Sequence, residues 1–367
     1  MPKDKISLRQ LLTLLAAALL SPAIQTLPGQ SAALAGEAGW LSVLPGLPVF
    51  LLLCLALVSL YRGSPPGQGL AGIVRATLGK WAGTAVLTAY LLWGVLLLGA
   101  DARRYALRFL STSYRNAPLP VFIAILLLAT LWVGRGRLCA MARAGEVVFL
   151  ALCTALGLAL FFGLFQIRAE HFLPVWTEDI PAVATASLPV LGVLSYTVFA
   201  AFLGGDVEWK QGDRGKCIHW AVGICGVFTL LQITCLGSFG PALVRQMDAP
   251  FFMMVKGIGV QGAFERVESV IIALWILSDL SLLCLILFAC RAIVHELSPQ
   301  HGSGKKAAVP VAGGALLIAM FCFSDSYALS DFMEYGAVWG GIVFGFLIPF
   351  TVWLIAKARG MLGAKGD

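Results

Sequence analysis

Charge is what this sequence has least of. Asp, Glu, Lys and Arg make up only 12% of its 367 residues, while 59% are hydrophobic and the mean hydropathy is +0.88. A soluble protein of this length carries roughly twice that charged fraction. No long polar domain separates the apolar runs, which recur near twenty residues in length along the whole chain, so a polytopic helical membrane protein is expected. The polar–apolar alternation of a barrel strand is missing too, which argues against an outer-membrane barrel. The nine cysteines include no CxxC, and most lie inside apolar runs, where they serve as small hydrophobes. His171, His219, His295 and His301 form no ligand spacing, so neither a metal nor another cofactor is expected. P-loop, HExxH and a convincing Ser/His/Asp set are absent. A GxGxxG string at 257–262 follows no strand and opens no βαβ unit, and is rejected as a dinucleotide site. Nothing points to an enzyme.

What is present is a series of ten expected spans, at about 7–34, 41–60, 82–107, 119–134, 139–163, 183–204, 217–238, 266–291, 308–324 and 335–357. Lys3, Lys5 and Arg9 before the first run, with Ala33-Leu34-Ala35 after it, imitate a signal peptide. Reading the run as a span keeps the count even. With the N-terminus inside, the inner segments hold 18 of the 26 Lys and Arg. Both termini are therefore expected in the cytoplasm. Four of the remaining eight, Arg103, Arg104, Arg108 and Arg115, fall toward the outer side. The net charge of +7 is divided among short loops. It reports topology in a lipid bilayer, and no nucleic-acid partner is expected.

Two spans interrupt themselves. The first contains Pro22 and Pro28; the sixth contains Pro189 and Gly192, and Pro22 and Pro189 stand half a chain apart. A proline removes an N–H and clashes with the preceding turn, a defect tolerated in hydrocarbon only where it is buried or faces a cavity. Matched interruptions divide the single transmembrane domain into two five-span halves, 7–163 and 183–357. An odd span count inverts the second half relative to the first, the pattern of an inverted-repeat transporter. The breaks at Ser21–Gln25, with Ala23 and Ile24 between, and at Leu191–Ser195, with Gly192, would offer N–H groups to a carboxylate and carbonyls to a cation or ammonium. A simple proline kink is the other reading.

Asp279 lies mid-span in the eighth helix, beside Ser278 and one turn after Trp275. A carboxylate there costs about 2.5–3.5 kcal/mol on insertion scales and should face the bundle interior. It is either a substrate-ammonium, cation or proton-coupling site, or a structural group paired with a buried base or protonated. Tyr90, Trp93, Gly94 and Leu97 share neighbouring turns of the third span, as packing or as a pocket wall. Asp101, Arg103 and Arg104 follow as a gate or an interface anchor. Arg143 with Glu146, and Arg266 with Glu268, have the spacing of structural ion pairs.

The ordered segments KISLRQLLTLL, AGEAGWLSVL, LGKWAGTAVLTAYLL, RAGEVVFLAL, FLPVW and FERVESVIIALWILS resemble the endospore germination permease family, the B subunits of spore nutrient-germinant receptors. That family is similar to amino-acid permeases of the APC superfamily. The resemblance runs from about Ile6 to Ala356 and implies an all-α, LeuT-type five-plus-five fold. It implies a nutrient pocket, often for a small amino acid such as alanine, drawn from spans 1, 3, 6 and 8. It also implies the inner spore membrane and two partners, an A subunit and a lipoprotein C subunit. Ser21-Pro22 and Asp279 depart from the family pattern. A sensor that changes conformation without net transport and an H⁺- or Na⁺-coupled amino-acid permease both fit this reading.

Overall fold

The computed structural model describes residues 5–112, 118–210, 212–257, 265–298, 306–323 and 325–362, with the side chains of 112, 265–272 and 326 left out. Eight helices among them are long and apolar enough to cross a membrane, and two shorter apolar helices, Leu119–Gly134 and Ala308–Cys322, accompany them. At 1.5 Å per residue a 16-residue helix reaches about 24 Å, short of a hydrocarbon core of about 30 Å.

The chain enters through a two-residue strand, β1 (Ile6–Ser7), and the first helix, α1 (Leu8–Ala35). The Ser7 Oγ accepts from the Gln10 N–H (3.2 Å) and the Gln10 Oε1 accepts from the Ser7 N–H (3.1 Å). This capping box satisfies two donors that the helix start would otherwise strand. β1 pairs in parallel with β2 (Val207–Glu208), Ile6 against Val207, and so ties the start of the first span to the segment after the sixth.

α2 (Val43–Gly63) leads to α3 (Leu70–Leu78). This short helix is amphipathic, with Leu70, Ile73 and Val74 buried. α4 (Lys80–Thr112) is the third span, α5 (Leu119–Gly134) the fourth and α6 (Leu138–Leu164) the fifth. The sixth span is divided into α7 (Ile180–Leu194) and α8 (Thr197–Phe202), with Ser195 and Tyr196 as the joint. α9 (Asp213–Phe239) ends at Gly240, whose φ of 77° suits glycine, and Pro241 opens α10 (Pro241–Val244). The segment between α9 and the eighth span also holds α11 (Pro250–Gly257), before α12 (Glu265–Leu297). The remaining chain is α13 (Ala308–Leu317), α14 (Ser326–Asp331), α15 (Ala337–Ile342) and α16 (Ile348–Ala358), joined by π-turns at Ile318–Cys322, Phe332–Gly336 and Val343–Leu347.

Two π-turn carbonyls are used by α4. Arg103 Nη1 donates to Ala319 O (2.8 Å) and the Tyr90 hydroxyl donates to Phe344 O (2.6 Å). A π-turn displaces one carbonyl from the regular ladder, and in hydrocarbon that group needs a donor from elsewhere.

The first span departs from expectation. It is helical throughout, prolines included, so the expected gap at Ser21–Gln25 is not an unwound segment. The reason lies one helix away. The Ser278 hydroxyl of α12 donates to Ala17 O and accepts from the Ser21 N–H (3.1 Å). It sits between the two groups that would close that turn of α1. A side chain inserted into the ladder meets both backbone groups without unwinding the helix. In the sixth span the interruption falls at Ser195–Tyr196, at the end of the expected segment and six residues past Pro189.

Candidate functional site

α1 and α12 meet at the opened turn and α4 closes over them. The Ser21 hydroxyl donates to Asp279 Oδ1. Arg108 Nη2 forms an ion pair with Asp279 Oδ2, and its Nη1 donates to Gln25 Oε1 (3.1 Å) and Ser21 Oγ (3.3 Å). The Trp275 indole N–H donates to Ser21 Oγ (3.2 Å), and the Arg108 guanidinium lies 4.3 Å from a Trp275 ring centroid and 5.2 Å from that of Tyr105. Ser21, Ser278 and Asp279 are each at most 2% exposed. In such surroundings a carboxylate is sustained by opposite charge and hydrogen bonds together. The guanidinium face gains from the indole as well.

The spacing on α4 explains how one helix reaches this point twice. Asp101, Arg104, Tyr105 and Arg108 follow i, i+3, i+4, i+7 and share a face. Asp101 accepts from the Tyr196 hydroxyl (2.9 Å), at the joint of the sixth span, and from Arg104 Nη2 (3.0 Å); Arg104 Nη1 also reaches Thr26 Oγ1 (3.3 Å) on α1. Two ion pairs on one face of α4 therefore hold the opened turn of span 1 and the joint of span 6.

Among the residues singled out in the sequence, Ser21, Gln25, Trp275, Ser278 and Asp279 come together. Ile24 lines a small apolar cavity of about 30 Å³ with Trp275 and Ser278, and Ala23 is fully buried. A second cavity of about 20 Å³ touches Arg108, Trp275 and Asp279. Each holds roughly a water or two. Two larger hollows lie away from the cluster: about 760 Å³ beside Gln68, Asp206 and Arg291, and about 790 Å³ between α5 and α6.

The third-span group faces elsewhere. Tyr90 packs between Phe202 and Phe344, Trp93 stacks on Phe344 at 5.2 Å, and Gly94 admits Cys290 and Phe199 against its backbone. Leu97 is buried. Leu191 lies against Gly46 of α2 and Gly192 against Val338 of α15. The Ser195 hydroxyl turns back to Gly192 O (2.6 Å), with Gly341 and Gly345 close over it.

The Arg143–Glu146 pair does not form. Arg143 is exposed, whereas Glu146 is half-buried on the side facing α1 and accepts from Gln10 Nε2 (3.4 Å). Arg266 and Glu268 have side chains outside the described residues, as does most of the 257–262 glycine string. No group of three His, Cys, Asp or Glu suited to a metal occurs among the described residues.

Arg108 and Tyr196 are the functional candidates that sequence reasoning missed, while Arg104, read as part of a gate or an interface anchor, pairs with Asp101 at the joint of the sixth span. Arg108 reads as an outer-rim charge because it is distant along α4. The available signal was charge arithmetic. A mid-membrane Asp279 demands a base, and DARRYALR is a helical stretch that sets arginines at helical spacing.

Comparison with known proteins agrees with this architecture. The chain is 22% identical to spore germination protein KB of Bacillus subtilis (strain 168), over 100% of this chain and 99% of that one. It is also 22% identical to the putative spore germination protein YfkT of the same organism, over 77% and 78%. The crystal structure of MhsT in complex with L-phenylalanine superposes with a TM-score of 0.65 at 14% identity, covering 98% of this chain and 100% of that one. At that identity the likeness carries the fold, the LeuT-type arrangement of membrane helices, and not the ligand. The family model described as spore germination protein, of the spore permease type, matches residues 5–327. A match over so much of a helical membrane protein with this fold means that the chain belongs to the spore germination protein family.

Proposed function

We propose that the chain is the membrane-embedded nutrient-binding subunit of a spore germinant receptor, and that a small amino acid bound in the bundle triggers germination through a change of conformation. The observation that carries this reading is the Arg108–Asp279 pair beside the opened turn of α1. An amino-acid zwitterion bears the same two charges. Its carboxylate can take Arg108 and its ammonium can take Asp279, so entry replaces one buried pair by two and leaves no charge unpaired. The cavities at the cluster are smaller than any amino acid, so entry requires these groups to part. A ligand acts on conformation only through its differential affinity for two states. Moving an equilibrium from 1:99 to 99:1 takes about 5.5 kcal/mol of it.

Arg108 also occupies the position against Asp279 that a coupling cation would need, which favours sensing over ion-driven uptake. The two halves, 7–163 and 183–357, are the units we expect to move. The working assembly includes an A subunit and a lipoprotein C subunit in the inner spore membrane, with both termini in the cytoplasm.

The test is binding and flux together on purified, reconstituted protein. Radiolabelled neutral amino acids are screened for saturable binding, then for uptake into proteoliposomes with and without H⁺ or Na⁺ gradients. Binding without accumulation is expected. Gradient-driven accumulation abolished by Asp279→Asn would turn the reading to a coupled permease. Absence of saturable binding by any neutral amino acid overturns both.

A further inference from the structure

The surface opens between α5 and α6 into a groove of about 790 Å³ that the polar cluster does not use. Leu128 and Trp132 of α5 form one wall, Ala144 and Val148 of α6 the other, and Leu277 and Leu280 of α12 the floor. Apart from Ser281 on the floor, whose hydroxyl donates to Leu277 O (2.7 Å), this lining is apolar until the α5–α6 turn, where Arg135 and Arg137 stand at the mouth. Trp132 is 81% exposed and Leu277, on the floor, 39%. α5 has only 16 residues, about 24 Å of helix against a hydrocarbon core of about 30 Å, and Arg135 and Arg137 follow directly after it.

We propose that this groove binds an anionic phospholipid, its acyl chain along α5 and α6 and its phosphate at Arg135 and Arg137. The groove follows about two turns of α5 and of α6, from Leu128 to Val133 and from Ala140 to Val148, and its mainly apolar lining suits an acyl chain. The charge is confined to the end where a headgroup lies. Guanidinium forks match phosphate oxygens, and basic pockets between membrane helices on the positively charged side are suited to anionic headgroups. A neutral or zwitterionic lipid fills the apolar part equally well but offers no net charge to the two arginines.

The occupant touches the machinery already described. Leu277 and Leu280 flank Ser278 and Asp279 on α12. On the other wall Gly145 lets α6 approach α1 so closely that an added Cβ would stand 3.0 Å from Leu14. A lipid seated here braces both helices that meet at the opened turn, and membrane composition thereby biases the response.

The experiment uses the full chain in vesicles of equal phosphatidylcholine and phosphatidylglycerol, followed by native mass spectrometry of the lipid retained on the protein. Phosphatidylglycerol is expected to be retained over phosphatidylcholine. Arg135→Gln and Arg137→Gln should each lower that preference about fivefold, and the double variant should lose both increments. Ala144→Trp, on an exposed wall position, should expel either lipid. Arg143→Gln, exposed on α6 but outside the groove, should change nothing. Equal retention of the two lipids by the unaltered protein overturns the proposal. So does a preference that survives the double variant, or one that Arg143→Gln reduces as much as Arg135→Gln does.

Discussion

The two proline-bearing spans handle the same defect differently. In the first, the helix continues and a serine from α12 occupies the opened turn, so the exposed backbone is met by a neighbouring helix and by the charges gathered there. In the sixth, the chain stops being helical at Ser195–Tyr196; the Ser195 hydroxyl is met locally by Gly192 O, while the Tyr196 hydroxyl reaches Asp101 on α4. Gly341 and Gly345 of the last span close over the joint. Span 1 thus presents a polar centre shared among three helices, while span 6 presents a joint clamped by small residues. An interruption in a membrane helix is therefore no ligand site by itself. What decides is which neighbour supplies the missing partners.

The comparison breaks most visibly at the span-1 cluster. Arg108→Met or Asp279→Leu alone leaves a buried charge without its partner, and each should cost about 3–5 kcal/mol. The double variant should recover much of that loss. Thermal unfolding in detergent of all three variants measures it, and a double variant no better than the worse single one would mean that the two groups are not a pair. Ser278→Ala comes next. It removes the hydroxyl between Ala17 O and the Ser21 N–H, at an expected cost of about 1–3 kcal/mol if the turn cannot close again. Hydrogen exchange at the Ser21 amide should rise, and unchanged exchange would show that α1 repairs its own ladder.

At the joint of span 6 the effect should be smaller. Tyr196→Phe removes one hydrogen bond to Asp101, which Arg104 still holds, and should cost about 1 kcal/mol. It should shift the ligand concentration needed for a response more than it lowers the unfolding temperature. A loss as large as that of Asp279→Leu would make the joint, not the cluster, the centre of the fold's polar energetics. Arg143→Ala is the smallest case. With its side chain exposed and Glu146 turned to Gln10, stability should stay within about 0.5 kcal/mol.

Much of the fold was legible because membrane helices announce themselves. Spans 2, 4, 5 and 7 begin and end within a few residues of where hydropathy sets them. Asp279 and Ser278 stood out because polar groups in hydrocarbon are costly and must be answered. The third-span aromatics were less legible. Helical spacing marks Tyr90, Trp93 and Gly94 as one face, but nothing in that spacing says whether the face meets α1 or the last span. Arg108 was hidden for the opposite reason, since it looks like a boundary charge until the packing of α4 against α12 brings it to Asp279.

By itself the sequence determined that this is a helical membrane protein with paired proline interruptions and a carboxylate in mid-bilayer, because hydrocarbon selects against charge and irregular backbone residue by residue. The tertiary structure alone decided which interruption gathers charge. A hydroxyl from α12 entered the ladder of α1, and an arginine from α4 answered Asp279, through contacts between residues more than a hundred positions apart. Such contacts leave no periodicity in the chain, since each depends on how whole helices tilt and pack.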